Sequence, residues 1–121
     1  SNGRKLRDGI QSDDEQHRFA GNGYDHYFLF KPNQQSVLVE EESSGRKMRV
    51  ETNQPGMVLY SGSNLMDNVE LKERRGEKYL GVCFETQNHS IALQKDFLSS
   101  IIYGPNKRYH QRTSFFFEVD K

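Results

Sequence analysis

Two carboxylates stand where an acid is out of place. Asp25 lies inside the aromatic segment Tyr24-Asp25-His26-Tyr27-Phe28, and Glu85 follows Gly81-Val82-Cys83-Phe84. An ionised acid in an apolar strand costs free energy unless it is paired or has work to do. Alternation along a strand sorts the faces: Leu80, Val82 and Phe84 share one, while Gly81, Cys83 and Glu85 share the other. Glu85 therefore stands beside small residues, which leave room for a ligand. Asp25 shares its face with Tyr27 and Leu29. A ring next to a carboxylate suits a sugar, because the ring stacks on C–H faces and the carboxylate accepts from hydroxyls. The plainer reading is that both acids end strands and pair with a neighbouring arginine.

Other candidate chemistry is weaker. Gly21-Asn22-Gly23 resembles the start of a dinucleotide loop, but the third glycine is missing and a strand follows instead of a helix. Asp13-Asp14-Glu15 lacks the alternating spacing and central glycine of a calcium loop, so it reads as a solvated charge run. Glu40-Glu41-Glu42 reads the same way. The four histidines show no paired metal-ligand spacing. Lys107-Arg108-Tyr109-His110 with Arg112 is basic and aromatic, yet in a neutral chain it reads as an edge strand. Cys83 reads as a packing residue. Asn88-His89-Ser90 matches the glycosylation sequon, a pattern common by chance.

The elements that must position Asp25 and Glu85 are strands. Ser1 to Gly23 reads as an irregular polar lead-in ending in the Gly21-Asn22-Gly23 turn. Strands follow at 24–30, 36–41, 46–52, 57–61 and 79–85, with breaks at Lys31-Pro32-Asn33, Ser43-Ser44-Gly45 and Pro55-Gly56. Residues 62–76 read as a long loop and 86–96 as irregular. Phe97 to Tyr103 reads as a short strand, and Tyr109 to Val119 as a long final one. No segment sustains a helical period over a dozen residues. The expected class is all-β with antiparallel strands at sandwich-like spacing, in a single domain over 1–121 whose 24–121 part is strands and loops.

Composition bounds the function. The chain has 121 residues, with 17 Lys and Arg against 17 Asp and Glu, and that balance argues against a nucleic-acid partner held by a basic surface. No apolar run approaches the roughly 20 residues of a membrane span. One cysteine allows no intramolecular disulfide, and the N-terminus shows no apolar signal region, so a cytoplasmic setting is expected. Only 33% of residues are hydrophobic, and mean hydropathy is −0.92. The chain reads as too polar and too short to fill a core of its own.

Several blocks together resemble the C-terminal part of the aldose 1-epimerase (galactose mutarotase) family. They are Gly23-Tyr24-Asp25-His26, Ser44-Gly45-Arg46-Lys47-Met48-Arg49-Val50, Thr52-Asn53-Gln54-Pro55-Gly56-Met57-Val58-Leu59-Tyr60-Ser61-Gly62 and Phe84-Glu85-Thr86-Gln87-Asn88. The resemblance implies an antiparallel β-supersandwich that interconverts the α and β anomers of aldohexoses such as galactose and glucose, without cofactor or metal. It makes Glu85 the general base, Asp25 a substrate-binding residue and Gln54 a residue lining the sugar site. His26 matches its block with no role assigned. Cys83 and Phe84 would limit the solvation of Glu85 if a cleft encloses them.

The family's aromatic-Pro-Asp stretch after Glu-Thr-Gln is here His89-Ser90-Ile91. Its Arg-Pro-Gly near the end is here Tyr103-Gly104-Pro105-Asn106. The blocks that carry the family's acid histidine, a second active-site histidine and a substrate-binding arginine are absent, and His17 stands in a different context. The expectation is therefore a fragment with the base and without the acid, whose partners are a monosaccharide and either the missing half of the domain or another copy of the chain. The alternatives are a non-catalytic carbohydrate-binding or interaction module on the same fold and a glycoside hydrolase using Asp25 and Glu85 as its acid pair.

Overall fold

The computed structural model describes residues 3–89 and 98–120. Ser1, Asn2, the sequon's Ser90, Ile91 and the expected strand start at Phe97 lie outside them. The elements in chain order are α1 (Leu6–Ile10), α2 (Glu15–Phe19), β1 (Asp25–Leu29), β2 (Ser36–Glu41), β3 (Arg46–Thr52), β4 (Gly56–Tyr60), β5 (Cys83–Gln87), α3 (Leu98–Ile101) and β6 (Thr113–Val119). The strands form two sheets, of order β1-β4-β5 and β2-β3-β6. This is the expected all-β, antiparallel class with a few short helices. By backbone contacts the chain falls into two compact units, Ser1–Tyr27 with Val58–Glu85 and Phe28–Met57 with Thr86–Lys121.

In the first unit, the polar lead-in differs from the expected irregular coil. It forms α1 and α2, each five residues long. They are too short to show a helical period, and local bonds make them: the Asp14 side chain accepts from the Gln16 N–H at 2.9 Å, capping α2. The turn at Gly21-Asn22-Gly23 is as expected, with Gly21 and Asn22 in the left-handed region (φ 75° and 65°). It delivers Tyr24, which is 4% exposed. The Tyr24 N–H donates to Ser61 Oγ at 2.9 Å, and the Ser61 N–H donates back to Tyr24 O at 2.9 Å. His17 packs edge-on to Tyr24, with ring centroids 5.0 Å apart. Gly9 faces the Tyr24 ring so closely that a methyl group there would overlap it.

Strand β5 begins at Cys83, not at Tyr79 as expected. Tyr79 adopts φ 60°, which an extended strand does not allow. Its N–H donates to Gly62 O at 3.1 Å and its hydroxyl to Asn22 O at 2.8 Å, so it closes the long loop instead of extending a sheet.

The second unit holds the β2-β3-β6 sheet. Its register is Val37↔Val50↔Phe115 and Val39↔Met48↔Phe117 on one face, with Leu38↔Arg49↔Phe116 and Glu40↔Lys47↔Glu118 on the other. Val50, at 1% exposed, is the centre of the apolar face. On the charged face Lys47 bridges the strands, 3.3 Å from Glu40 and 2.7 Å from Asp120. Arg49 lies 4.1 Å over the Phe116 ring.

The turn between β2 and β3 is locked by Glu41. Its carboxylate accepts from the Ser43 hydroxyl at 2.7 Å, the Ser43 N–H at 3.0 Å and the Ser44 N–H at 2.8 Å. Gly45 completes the turn at φ 67°.

Two further expectations change in this unit. Leu98–Ile101 is helical, not the body of a strand. Alternation cannot separate the two for so short an apolar run, and here the Asn88 amide donates to Ser100 O at 2.9 Å, curling the segment around it. Strand β6 begins at Thr113, because 109–112 leaves the sheet direction to bond to Asn53. The basic stretch 107–112 is thus an irregular surface segment and not an edge strand.

Candidate functional site

Asp25 opens β1 and Glu85 lies within β5. Both belong to the first unit, and their strands flank β4 in one sheet. Two strand spacings, about 10 Å, separate strand β1 from strand β5. Both side chains are exposed. The Asp25 backbone N–H donates to His26 Nδ1 at 3.0 Å, and the His26 ring sits 5.6 Å from His17 and 5.9 Å from Tyr24. The strand start that presents Asp25 is therefore held by rings and backbone bonds, while its carboxylate faces outward.

The expected shielding of Glu85 is not formed within this unit. Cys83 is exposed, Phe84 is half-buried and Glu85 itself is open to water. Cys83 is accordingly not a packing residue. Gly81 and Val82 precede the strand, and both are exposed along with Cys83 and Glu85. Tyr27, two residues beyond Asp25, is half-buried, and burial raises its phenol pKa.

Gln54 belongs to the second unit and is buried, at 7% exposed. It precedes β4 at the Pro55-Gly56 turn. Its backbone N–H donates to Thr52 Oγ1 at 3.1 Å, and its side-chain Nε2 donates to Asn53 Oδ1 at 3.0 Å. The same Asn53 oxygen accepts from the Arg112 N–H at 3.0 Å. Around it the hydroxyls of Thr52 and Thr113 lie 3.1 Å apart and those of Thr86 and Thr113 2.6 Å apart, while Gln111 Nε2 donates to Thr86 O at 2.9 Å.

Sequence reasoning singled out Gln54 alone from this network and passed over Asn53, Thr86, Gln111 and Thr113. The available signal was a run of amide and hydroxyl side chains, Thr52-Asn53-Gln54, at the end of an otherwise ordinary strand. Two surface depressions lie elsewhere, one against Arg46, Lys47 and Phe117 and one between Ser63 and Lys78. Neither is lined by Asp25, Gln54 or Glu85. Among the described residues no helix is long and apolar enough to cross a membrane.

The chain is thus an antiparallel all-β protein with an exposed acid on each of two strands of one sheet and a buried Gln54 amide held by Asn53, and comparison with known proteins gives its family. The profile of the aldose 1-epimerase family matches residues 1–115, and the chain belongs to that family. It is similar to galactose mutarotase of Sus scrofa, 32% identical over 120 residues that cover 94% of this chain and 34% of that protein. Galactose mutarotase of Rattus norvegicus is 36% identical over 103 residues, covering 80% and 30%. That of Homo sapiens is 35% identical over 107 residues, covering 84% and 31%. The chain thus spans about a third of the length of the curated relatives it matches. No solved structure matches it at a comparable level.

Proposed function

We propose that this chain supplies the general base and two sugar-contacting residues of a cytoplasmic aldose 1-epimerase acting on aldohexoses such as galactose and glucose. Membership of the family supports the reading. The observation that carries it is the placement of Asp25 and Glu85 on strands flanking β4 in one sheet, both open to a ligand. Glu85 removes the proton of the anomeric hydroxyl as an acid protonates the ring oxygen. The C1–ring-oxygen bond breaks to give the open-chain aldehyde, and rotation about C1–C2 turns its other face to the returning hydroxyl. Reclosure transfers the protons back, and no atom or electron is gained or lost. Asp25 accepts from sugar hydroxyls, and Gln54 meets the sugar through its amide.

A carboxylate suits this work because proton transfer to a positioned group contributes roughly 10²–10⁴-fold to rate. In this reading the acid comes from sequence outside these 121 residues, where the relatives carry the remaining two thirds of their length. The test is polarimetry on freshly dissolved α-galactose or α-glucose. A longer protein containing this chain should speed the approach to anomeric equilibrium, and the chain alone should not. No acceleration by the longer protein would remove the enzyme reading and leave a carbohydrate-binding module.

A further inference from the structure

Asn53 is the residue on which the amide of Gln54 depends, and the dependence has a direction. The Arg112 backbone N–H, 3.0 Å away, can only donate, so the Asn53 atom facing it is the carbonyl oxygen. The His110 backbone carbonyl, 3.2 Å away, can only accept, so the Asn53 atom facing it is the amide nitrogen. The Asn53 N–H closes the clamp by donating to Arg112 O at 3.1 Å. Two backbone groups from one segment thus set the Asn53 amide without ambiguity. Its oxygen is then a fixed acceptor, and the Gln54 atom 3.0 Å from it must be the donor nitrogen. A buried amide held by its nitrogen keeps its oxygen turned away from that bond.

We propose that Asn53 is a positioning residue, which clamps the 110–112 segment and thereby fixes the Gln54 amide so that Gln54 meets the sugar as a hydrogen-bond acceptor. The proposal rests on the reading of Gln54 as a sugar-contacting residue. Without Asn53 the amide of Gln54 is free to turn, and half of its orientations present a donor where the hydroxyl donates.

The test uses the longer protein that carries this chain, with mutarotation of α-galactose as the readout. Asn53→Ala should raise KM about tenfold, the equivalent of one lost hydrogen bond, with kcat within about threefold of the parent. In a Gln54→Ala background the same substitution should change KM by less than about twofold, because its route to the sugar has gone. Asn53→Asp keeps the acceptor oxygen for Arg112 and Gln54, so its KM should lie closer to the parent than that of Asn53→Ala. Should Asn53→Ala fail to fold, Asn53→Asp carries the comparison, with the Gln54 side-chain amide protons followed by NMR exchange. Protection retained with KM near the parent supports the clamp, and protection lost in a folded Asn53→Asp protein overturns it. Additive KM effects of Asn53→Ala and Gln54→Ala would likewise overturn it. If Gln54→Ala alone leaves KM unchanged, the assignment of Gln54 to the sugar is what has failed, and the role of Asn53 falls with it.

Discussion

Tyr24 and Ser61 carry the local order behind Asp25. The Tyr24 N–H is buried and its acceptor is a single hydroxyl, Ser61 Oγ, 2.9 Å away. Ser61 is 1% exposed, so no water replaces it. Ser61→Ala should therefore leave a buried donor without its acceptor, at a cost of about 1–3 kcal/mol. Urea unfolding of the variant reads this directly, and a loss below about 0.5 kcal/mol would place the anchor of β1 elsewhere. Legibility at this scale was uneven. The carboxylates were visible as acids in aromatic and apolar surroundings, and their roles came from the resemblance. Ser61, Asn53 and the 110–112 segment were not visible as partners, because side-chain-to-backbone bonds across tens of residues leave no period in a sequence.

The β2–β3 hairpin is the element whose bounds the sequence predicted most closely, since Val37-Leu38-Val39 is a β-branched-rich apolar run, Met48 and Val50 alternate with polar residues in 46–52, and Ser43-Ser44-Gly45 marks the turn between them. Glu41 adds a pH dependence to it. Hydrogen bonds from Ser44 and then Ser43 hold its carboxyl at about 2, below the usual carboxylate range. A carboxyl depressed in the folded state contributes stability that is fully present above its unfolded pKa, roughly 4.3, and is lost as pH falls toward 2. The hairpin should loosen over that window, and NMR titration of the Glu41 carboxyl should show the low midpoint. Ser44→Gly with Ser43→Ala should move the midpoint up toward the ordinary value; an unchanged midpoint would contradict the turn geometry. Other elements were less legible for stated reasons. Helices α1 and α2 are shorter than any period that could reveal them. Tyr79 stops β5 short through a left-handed backbone, and Leu98–Ile101 coils around the Asn88 amide.

At the scale of the whole molecule, a small core stands beside broad apolar exposure. Among the described residues the buried apolar side chains are Ala20, Tyr24, Val50 and Met57, while Phe19 is 80%, Phe117 75% and Val119 63% exposed. Phe117 shares the face of Val50 on β6, the last strand in the order of its sheet. Open apolar faces and sheet edges invite further chain to cover them. The isolated 121-residue chain should therefore self-associate, with a mass by light scattering that rises with concentration. A monodisperse monomer across a wide concentration range would contradict this. The low apolar content of the sequence fits the same view, as does a span of about a third of its relatives' length.

The central claim is that Glu85 is the base. Its most direct test is the mutarotation rate of α-galactose in the longer protein carrying Glu85→Gln, beside galactose binding by the same variant. The account predicts a rate lower by roughly 10²–10⁴-fold, the range for a lost acid–base group, with binding changed by less than about threefold. A near-parental rate would contradict it.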